Sequence, residues 1–251
     1  MLRTILRGIV ILALGTGCTS RDAAVAHPDF SGLYRPAGLE VQPCGRNEWM
    51  RRSFETDTFC NGDDSAFPFT DLGRERWKSY NVIDDPVLGC VEDFPRNAMR
   101  GRPMKITLGE EITEIAYWFN NEWSVRRVHM NGEPAPAATP NSVGGYSTGR
   151  WVGDTLVVET RNRRADTPLR GSSENMRLTE RFTRIADDVL LSEFTVDDPD
   201  AFVQPWTVQI TSALVTDNLM YEYGWQEGNE WMYGILGGAR GAERAAEEAR
   251  N

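Results

Sequence analysis

From Met104 onward, hydrophobic and polar residues alternate in short runs that are separated by turn residues. Alternation with a period of two is typical of strands that bury one face. The pattern predicts strands over residues 103–108, 111–119, 122–130, 147–152, 155–161, 176–185, 189–197, 206–215 and 219–226. Short strands at regular spacing, with turn signals between them, indicate an all-β fold. We therefore expect a mainly antiparallel meander that closes into a barrel or packs as a sandwich.

The rest of the chain shows weaker patterns. Residues 30–34 (FSGLY) predict a first strand, whereas residues 38–100 are irregular apart from one short helix near residues 71–80, with Thr70 as its N-cap. The last residues, 239–251, predict a charged helical or frayed tail. With no internal repeat or linker, residues 29–238 are expected to form one β-barrel-like domain.

The predicted turn at Asn120-Asn121 fixes the pairing of two strands. A two-residue loop puts Glu114 opposite Arg127 and Trp118 opposite Trp123, because cross-strand neighbours lie on the same face. One face then carries Ile112, Glu114, Ala116, Trp118, Trp123, Val125, Arg127 and His129. The other carries Thr113, Ile115, Tyr117, Phe119, Glu122, Ser124, Arg126 and Val128.

The first of these faces combines two indoles with a carboxylate, a guanidinium and an imidazole. This mixture is typical of a ligand pocket. His129 can exchange protons near neutral pH, so we predict it as a catalytic residue together with Glu114 and Arg127. Trp118 and Trp123 would stack on the substrate. The competing interpretation is an exposed Glu–Arg ladder with a surface histidine.

Two later segments add candidates. The turn Gly153-Asp154 puts Trp151, Leu156 and Val158 on one face, which we assign to the core. Glu180 alternates with Leu178 and Phe182, so this carboxylate is expected to point inward. A buried carboxylate must be paired or have a raised pKa, and Glu180 is therefore either an acid/base residue or a structural partner of an arginine. Arg150, Arg181 and Tyr221 are the further candidates for substrate binding.

The N-terminus resembles an export signal. Arg3 and Arg7 precede the short apolar segment 8–14, and Cys18 follows at once. This order resembles a lipobox, although Gly15 occupies the place where Leu is usual. We expect a signal peptide over residues 1–18, lipidation at Cys18 and a tether over residues 19–28. The protein would then be a periplasmic or outer-membrane lipoprotein, and ordinary cleavage after residues 24–26 is the alternative.

Charge, cysteine content and motifs limit the classes of partner and cofactor that the protein is expected to bind. The net charge of −10 argues against nucleic acid and anionic membrane surfaces. Cys44, Cys60 and Cys90 permit one disulfide in an oxidising compartment, and the pairs Cys44–Cys60 and Cys60–Cys90 both remain open. The spacing of the two histidines gives no metal motif, and no phosphate loop or nucleophile elbow is present, so we predict no metal and no organic cofactor.

Residues 144–206 resemble a widespread, largely uncharacterised family of exported bacterial proteins. The matching motifs are Gly-x-x-Ser-x-Gly-Arg-Trp-x-Gly-Asp-Thr-Leu-Val-Val-x-Thr at 144–160, Ser173-Glu174, Glu180-Arg181-Phe182, Asp198-Pro199 and Pro205-Trp206. The chain departs from the family at Glu133, where an arginine is usual, and at Glu159, where an aspartate is usual. The resemblance implies export and a single β-rich domain of the kind of a lipocalin-like barrel, and it draws attention to Arg127, Arg150, Trp151, Glu180 and Arg181.

Two functions fit these observations. The first is a cofactor-independent, lyase-like enzyme, or an isomerase, dehydratase or hydrolase, that acts on a small apolar or aromatic molecule inside the barrel. The second is a non-catalytic lipoprotein that binds a hydrophobic ligand or an envelope partner. Fold alone does not separate them, because barrels host both.

Overall fold

The computed structural model describes residues 27–42, 45–46, 67–79, 94–99, 101–119, 122–164, 169, 171–216 and 230–250. The strands are β1 (Gly32–Gln42), β2 (Gly45–Arg46), β3 (Met104–Thr107), β4 (Ile112–Phe119), β5 (Glu122–His129), β6 (Tyr146–Val152), β7 (Thr155–Arg161), β8 (Arg177–Ala186), β9 (Val189–Asp197) and β10 (Trp206–Val215). The helices are α1 (Asp71–Ser79), α2 (Arg96–Met99) and α3 (Glu230–Glu248). None of these helices is both long and apolar enough to cross a membrane.

The strands form a closed barrel. They follow the order β10-β9-β8-β7-β6-β5-β4-β3-β1, and β1 pairs with β10 to complete the ring. The short β2 pairs only with β1 and stays outside this ring of nine strands in the described part of the chain. The predicted all-β, lipocalin-like fold is confirmed, and the barrel rather than the sandwich is the architecture.

One neighbouring pair departs from the antiparallel meander. Strands that alternate in direction around a closed ring must be even in number, so a ring of nine needs one parallel contact. That contact joins β5 and β6, where Val128 pairs with Ser147 and His129 with Thr148 in parallel. Residues 130–145 return the chain to the other end of the barrel, since a parallel pair cannot be joined by a tight hairpin.

Most predicted elements are confirmed to within a residue or two. The main difference is β1, which continues to Gln42 through a segment that was expected to be irregular. A register shift between Pro36 and Gly38 interrupts the alternation there, and this interruption hides the strand in the sequence. The C-terminal tail is helical but begins at Glu230, nine residues earlier than expected. The predicted strand 219–226 and the whole N-terminal signal lie outside the described residues, as do all four cysteines.

The buried core residues point into the barrel interior, which we call the lumen. Along β9 and β10, buried residues alternate with partly exposed ones, so every second side chain points into the lumen. Leu156, Leu178, Phe182 and Phe194 are among the fully buried members. The lumen is therefore lined mainly by apolar side chains, and each polar group that points inward needs a partner.

Helices α1 and α2 cover parts of the barrel. Thr70 caps α1, as predicted, because its hydroxyl accepts a hydrogen bond of 3.0 Å from the Gly73 amide. Gly73 lies so close to the backbone of Ala201 that a Cβ atom would come within 2.1 Å of the carbonyl oxygen. Helix α2 packs against β4 and β10, and its Met99 is completely buried.

Candidate functional site

The first hairpin has the predicted register but the opposite orientation. Glu114 pairs with Arg127 and Trp118 with Trp123, as expected from a two-residue loop. However, Ile115 and Val128 on the other face are fully buried, whereas the Arg127 side chain is 74% exposed. The expectation that the Glu114, Arg127 and His129 face forms the inside is therefore wrong. Register fixes which residues share a face, but packing against the rest of the barrel decides which face is inside.

These predicted residues lie on the outer wall of the barrel. Glu114 and Arg127 form a solvent-exposed ion pair of 3.7 Å. Trp118 is exposed, and His129 stacks on Tyr146 with their ring centroids 4.6 Å apart. Trp123 pairs with Trp118 through the backbone, while its side chain lies outside what the structure describes. The structure does not bring this set into the lumen.

The remaining predicted binding residues are also outside the lumen or outside the described residues. Arg150 forms an exposed ion pair of 2.9 Å with Glu159, and Arg181 lies 3.8 Å from Glu193. Tyr221 falls in a part of the chain that is not described. By contrast, the core assignment in the second hairpin is confirmed, because Leu156 and Val158 are fully buried and Trp151 packs against them within the core.

Among the predicted site residues whose side chains the structure describes, Glu180 is the one that points into the lumen. It is completely buried on β8, between Leu178 and Phe182 on the same face. Two hydrogen bonds join its carboxylate to the Arg126 guanidinium, from Nη1 to Oε2 over 2.5 Å and from Nη2 to Oε1 over 2.8 Å. This two-pronged geometry gives the strongest type of ion pair in proteins.

Arg126 reaches Glu180 across two intervening strands. Its strand, β5, is separated from β8 by β6 and β7, and each of these contributes a small hydroxyl residue at the crossing point. Arg126 Nη1 donates to Ser147 Oγ over 3.1 Å and to Thr160 Oγ1 over 2.8 Å. The two hydroxyls are themselves 2.8 Å apart and share a hydrogen bond. These small side chains leave room for the long Arg126 side chain, and their hydroxyl oxygens accept hydrogen bonds from its guanidinium.

Tyr117 completes this group from the opposite side of the barrel. Its hydroxyl donates a hydrogen bond of 3.1 Å to Glu180 Oε1. Burial raises the pKa of the Tyr117 phenol well above its ordinary value, and the negative charge of Glu180 raises it further. The phenol therefore stays protonated and acts as a donor. We call Tyr117, Arg126, Ser147, Thr160 and Glu180 the buried cluster.

An aromatic ring covers the buried cluster. The Phe94 ring lies 4.2 Å from the Arg126 guanidinium carbon, which is a favourable cation–π distance. Phe94 precedes α2 and also contacts the Tyr117 ring at 6.1 Å between centroids. The guanidinium is thus held between a carboxylate at its tip and an aromatic face. The arrangement keeps water away from the ion pair and strengthens it.

The chemistry available to the buried cluster follows from its hydrogen bonds. Glu180 Oε1 accepts from Tyr117 and Arg126, and Oε2 accepts from Arg126. The Glu180 carboxylate is therefore engaged at both oxygens by donors of the protein itself. Its charge is balanced by Arg126, so the lumen presents no uncompensated charge here. The cluster can fix the barrel and supply a polar edge, but it is not arranged as a free general base.

The sequence identified Glu180 but missed its partners. Arg126 and Tyr117 stood on the hairpin face that was assigned away from the pocket. The signal that could have found them is the inward position predicted for Glu180, since a buried carboxylate requires a buried donor. A face with both an arginine and a tyrosine meets that requirement. Among the described residues, no three His, Cys, Asp or Glu side chains are grouped closely enough to bind a metal ion.

No protein-family model matches the chain, and no curated protein matches it. The resemblance to a family of exported proteins therefore remains a prediction from its motifs. The barrel and its interior are therefore the basis of the function proposed below.

Proposed function

We propose that this protein is an exported, lipid-anchored barrel that binds a small, mostly apolar or aromatic molecule in its lumen. The single observation that supports binding is the closed ring of nine strands, whose interior combines apolar side chains with a few polar groups. Ligand sites in barrels have this composition. The export signal and Cys18 suggest a periplasmic or outer-membrane location, with contact to the membrane through the anchor alone.

Binding fits the interior better than catalysis does. Both carboxylate oxygens of Glu180 accept hydrogen bonds from Arg126 or Tyr117, and the histidine that could have served as a base lies on the outer wall. The buried cluster then sets the shape and polarity of one part of the lumen. The proposal excludes nucleic acid as a partner, in keeping with the net charge of −10.

The test uses a neutral apolar fluorophore, N-phenyl-1-naphthylamine, titrated into the purified protein. We expect saturable fluorescence enhancement with one site per chain. The variant Ser212→Phe adds an aromatic ring on the inner face of β10, whereas Thr211→Phe adds the same ring on the outer face of the adjacent position. Lumenal binding predicts at least a tenfold loss of affinity in Ser212→Phe and little change in Thr211→Phe. Equal affinity in the two variants, both shown to be folded by circular dichroism, would place the probe outside the lumen and contradict the proposal.

A cofactor-independent acid/base enzyme is the second candidate. It is favoured by one contact, the 3.1 Å hydrogen bond between Tyr117 and Glu180, because a phenol beside a carboxylate can relay a proton. The assay is deuterium uptake from D₂O into the methyl group of 2-acetylnaphthalene, followed by NMR. An enzyme of this kind should lose exchange in Glu180→Gln while retaining ligand binding. His129→Gln, on the outer wall, should keep both, and equal loss in the two variants would contradict a role for Glu180.

A further inference from the structure

A second polar feature of the lumen lies on β9, the strand next to the one that carries Glu180. Ser192 is on the inner face of β9, between Leu190 and Phe194, and it is 2% exposed. Its neighbours across the sheet are Phe182 on β8 and Ile210 on β10, both buried and apolar. Ser192 is therefore a hydroxyl whose direct inward-facing neighbours, along β9 and across the sheet, are all apolar.

The Ser192 hydroxyl has no hydrogen-bond partner in the described part of the chain. A buried hydroxyl without a partner is unfavourable, since it loses its hydrogen bonds to water and gains none in exchange. The buried cluster shows that this fold satisfies its other inward polar groups closely, with hydroxyls 2.8 Å apart at Ser147 and Thr160. An unsatisfied hydroxyl that points into the lumen is therefore a feature that a bound molecule would explain.

A second inward hydroxyl lies nearby. Ser212 is buried on β10, where it is directly opposite Leu190, two residues along β9 from Ser192. Diagonal positions of this kind on adjacent antiparallel strands are about 7 Å apart or less, within reach of a single ligand group. The wall formed by β9 and β10 thus presents two hydroxyls on an apolar background.

We infer that Ser192 is the polar anchor of a ligand site in the lumen, and that the ligand is a neutral, mostly apolar carbonyl compound. This inference rests on the proposed binding function and makes its ligand class specific. A serine hydroxyl can donate to a carbonyl oxygen, and the surrounding Leu190, Phe194 and Ile210 would contact the apolar body of the ligand. A charged ligand does not fit, because Arg126 and Glu180 already neutralise each other.

The experiment compares two ligands of nearly the same shape, 2-acetylnaphthalene and 2-ethylnaphthalene, which differ in the carbonyl oxygen. Affinities are measured on the full chain by quenching of tryptophan fluorescence. We expect the wild type to prefer the ketone by about two- to tenfold, the effect of one net hydrogen bond. Ser192→Ala should abolish this preference while leaving the affinity for 2-ethylnaphthalene unchanged. Thr195→Ala, a matched change on the outer face of β9, should keep the preference.

The outcomes separate the inference from the proposed function. If the wild type binds both ligands equally, or if Ser192→Ala retains the preference, the anchor is refuted while lumenal binding stands. If the wild type binds neither ligand, the proposed function and the anchor both fail.

A second measurement needs no ligand: the unliganded Ser192→Ala protein should unfold at a higher urea concentration than the wild type, because the unsatisfied hydroxyl is gone. A lower midpoint would show that the hydroxyl is already satisfied and would overturn the inference.

Discussion

Tyr117 on β4 donates a hydrogen bond of 3.1 Å to Glu180 on β8, and the two strands lie on opposite sides of the barrel. The contact therefore spans the lumen rather than following the sheet. Arg126 on β5, the neighbour of β4, binds the same carboxylate, so two adjacent strands are joined to β8 at one point. Such a cross-barrel connection selects one arrangement of the strands, and it links the stability of the fold to the polarity of its interior.

Glu180 and Glu114 should respond very differently to the same substitution. Glu180→Gln leaves the buried Arg126 charge without its counterion, and we expect the free energy of unfolding to fall by about 3–5 kcal/mol. Glu114→Gln removes one partner of an exposed ion pair and should cost at most about 1 kcal/mol. Urea denaturation measures both. Comparable losses in the two variants would show that the buried pair has no special role.

Replacing both partners of the buried pair tests the physical cause. The double variant Arg126→Met with Glu180→Leu removes both charges and keeps apolar volume, so it should be much more stable than either single variant. A double-mutant cycle on the free energy of unfolding measures the coupling. Additive losses in the cycle would mean that the two residues stabilise the barrel independently of each other.

The raised pKa of Tyr117 predicts a loss of stability in alkali. The folded-state pKa of Tyr117 lies well above the unfolded value of about 10. Below pH 10 the phenol therefore makes its full contribution to the free energy of unfolding. It is lost as pH rises from about 10 toward the folded pKa, because only the unfolded chain releases the proton. Tyr117→Phe should cost about 1.5–3 kcal/mol at neutral pH through its hydrogen bond to a charged group. Above pH 10 the gap to the wild type should shrink by as much as about 1.4 kcal/mol per pH unit. Urea unfolding at pH 8, 10 and 11 measures this difference in the free energy of unfolding. A constant difference would contradict the raised pKa of Tyr117.

Two glycines should respond to alanine with opposite signs. In α1, a Cβ atom on Gly73 would meet the backbone of Ala201 at 2.1 Å, so Gly73→Ala must displace the helix and should cost about 1–3 kcal/mol. In α3, a Cβ atom on Gly237 would meet nothing within 4 Å in the described part of the chain beyond the helix's own backbone and the adjacent residues. Gly237→Ala should therefore raise helix stability by up to about 1 kcal/mol. Urea midpoints and helical circular dichroism report the two effects, and a stabilised Gly73→Ala protein would argue against the close docking of α1.

Lipidation can be tested at Cys18 directly. Cells that express the full chain are labelled with palmitate, and the wild type is expected to incorporate the label. Cys18→Ser should abolish it, since the thiol is the point of attachment. Cys44→Ser is the matched control and should remain labelled. Label that persists in Cys18→Ser would contradict lipidation at this cysteine, whereas export would remain a prediction.

Much of the fold could be predicted from local patterns. The turn at Gly153-Asp154 fixed the pairing of Trp151 with Leu156, and the alternation around Glu180 showed that it points inward. Both predictions depend on residues a few positions apart, where strand geometry leaves little freedom. The strand β1 was shortened in the prediction, because the bulge between Pro36 and Gly38 breaks the local pattern.

The candidate site was harder to predict from the sequence than the fold, because its residues come from strands that are far apart along the chain. Arg126 and Arg127 are adjacent, and no local rule says which one faces the lumen. Glu180, 54 residues later in the chain, needs a buried donor, and Arg126 meets that need only when the barrel is closed.

The sequence by itself determined most of the described strands, the registers of the β4–β5 and β6–β7 hairpins and the inward position of Glu180, since these follow from the two-residue period of a strand and from turn geometry. Tertiary structure alone decided that Arg126 rather than Arg127 faces inward, that β5 and β6 are parallel, and that Tyr117 meets Glu180 across the lumen. The physical reason is that burial is a property of the closed ring: a face becomes the interior only when strands distant in sequence enclose it.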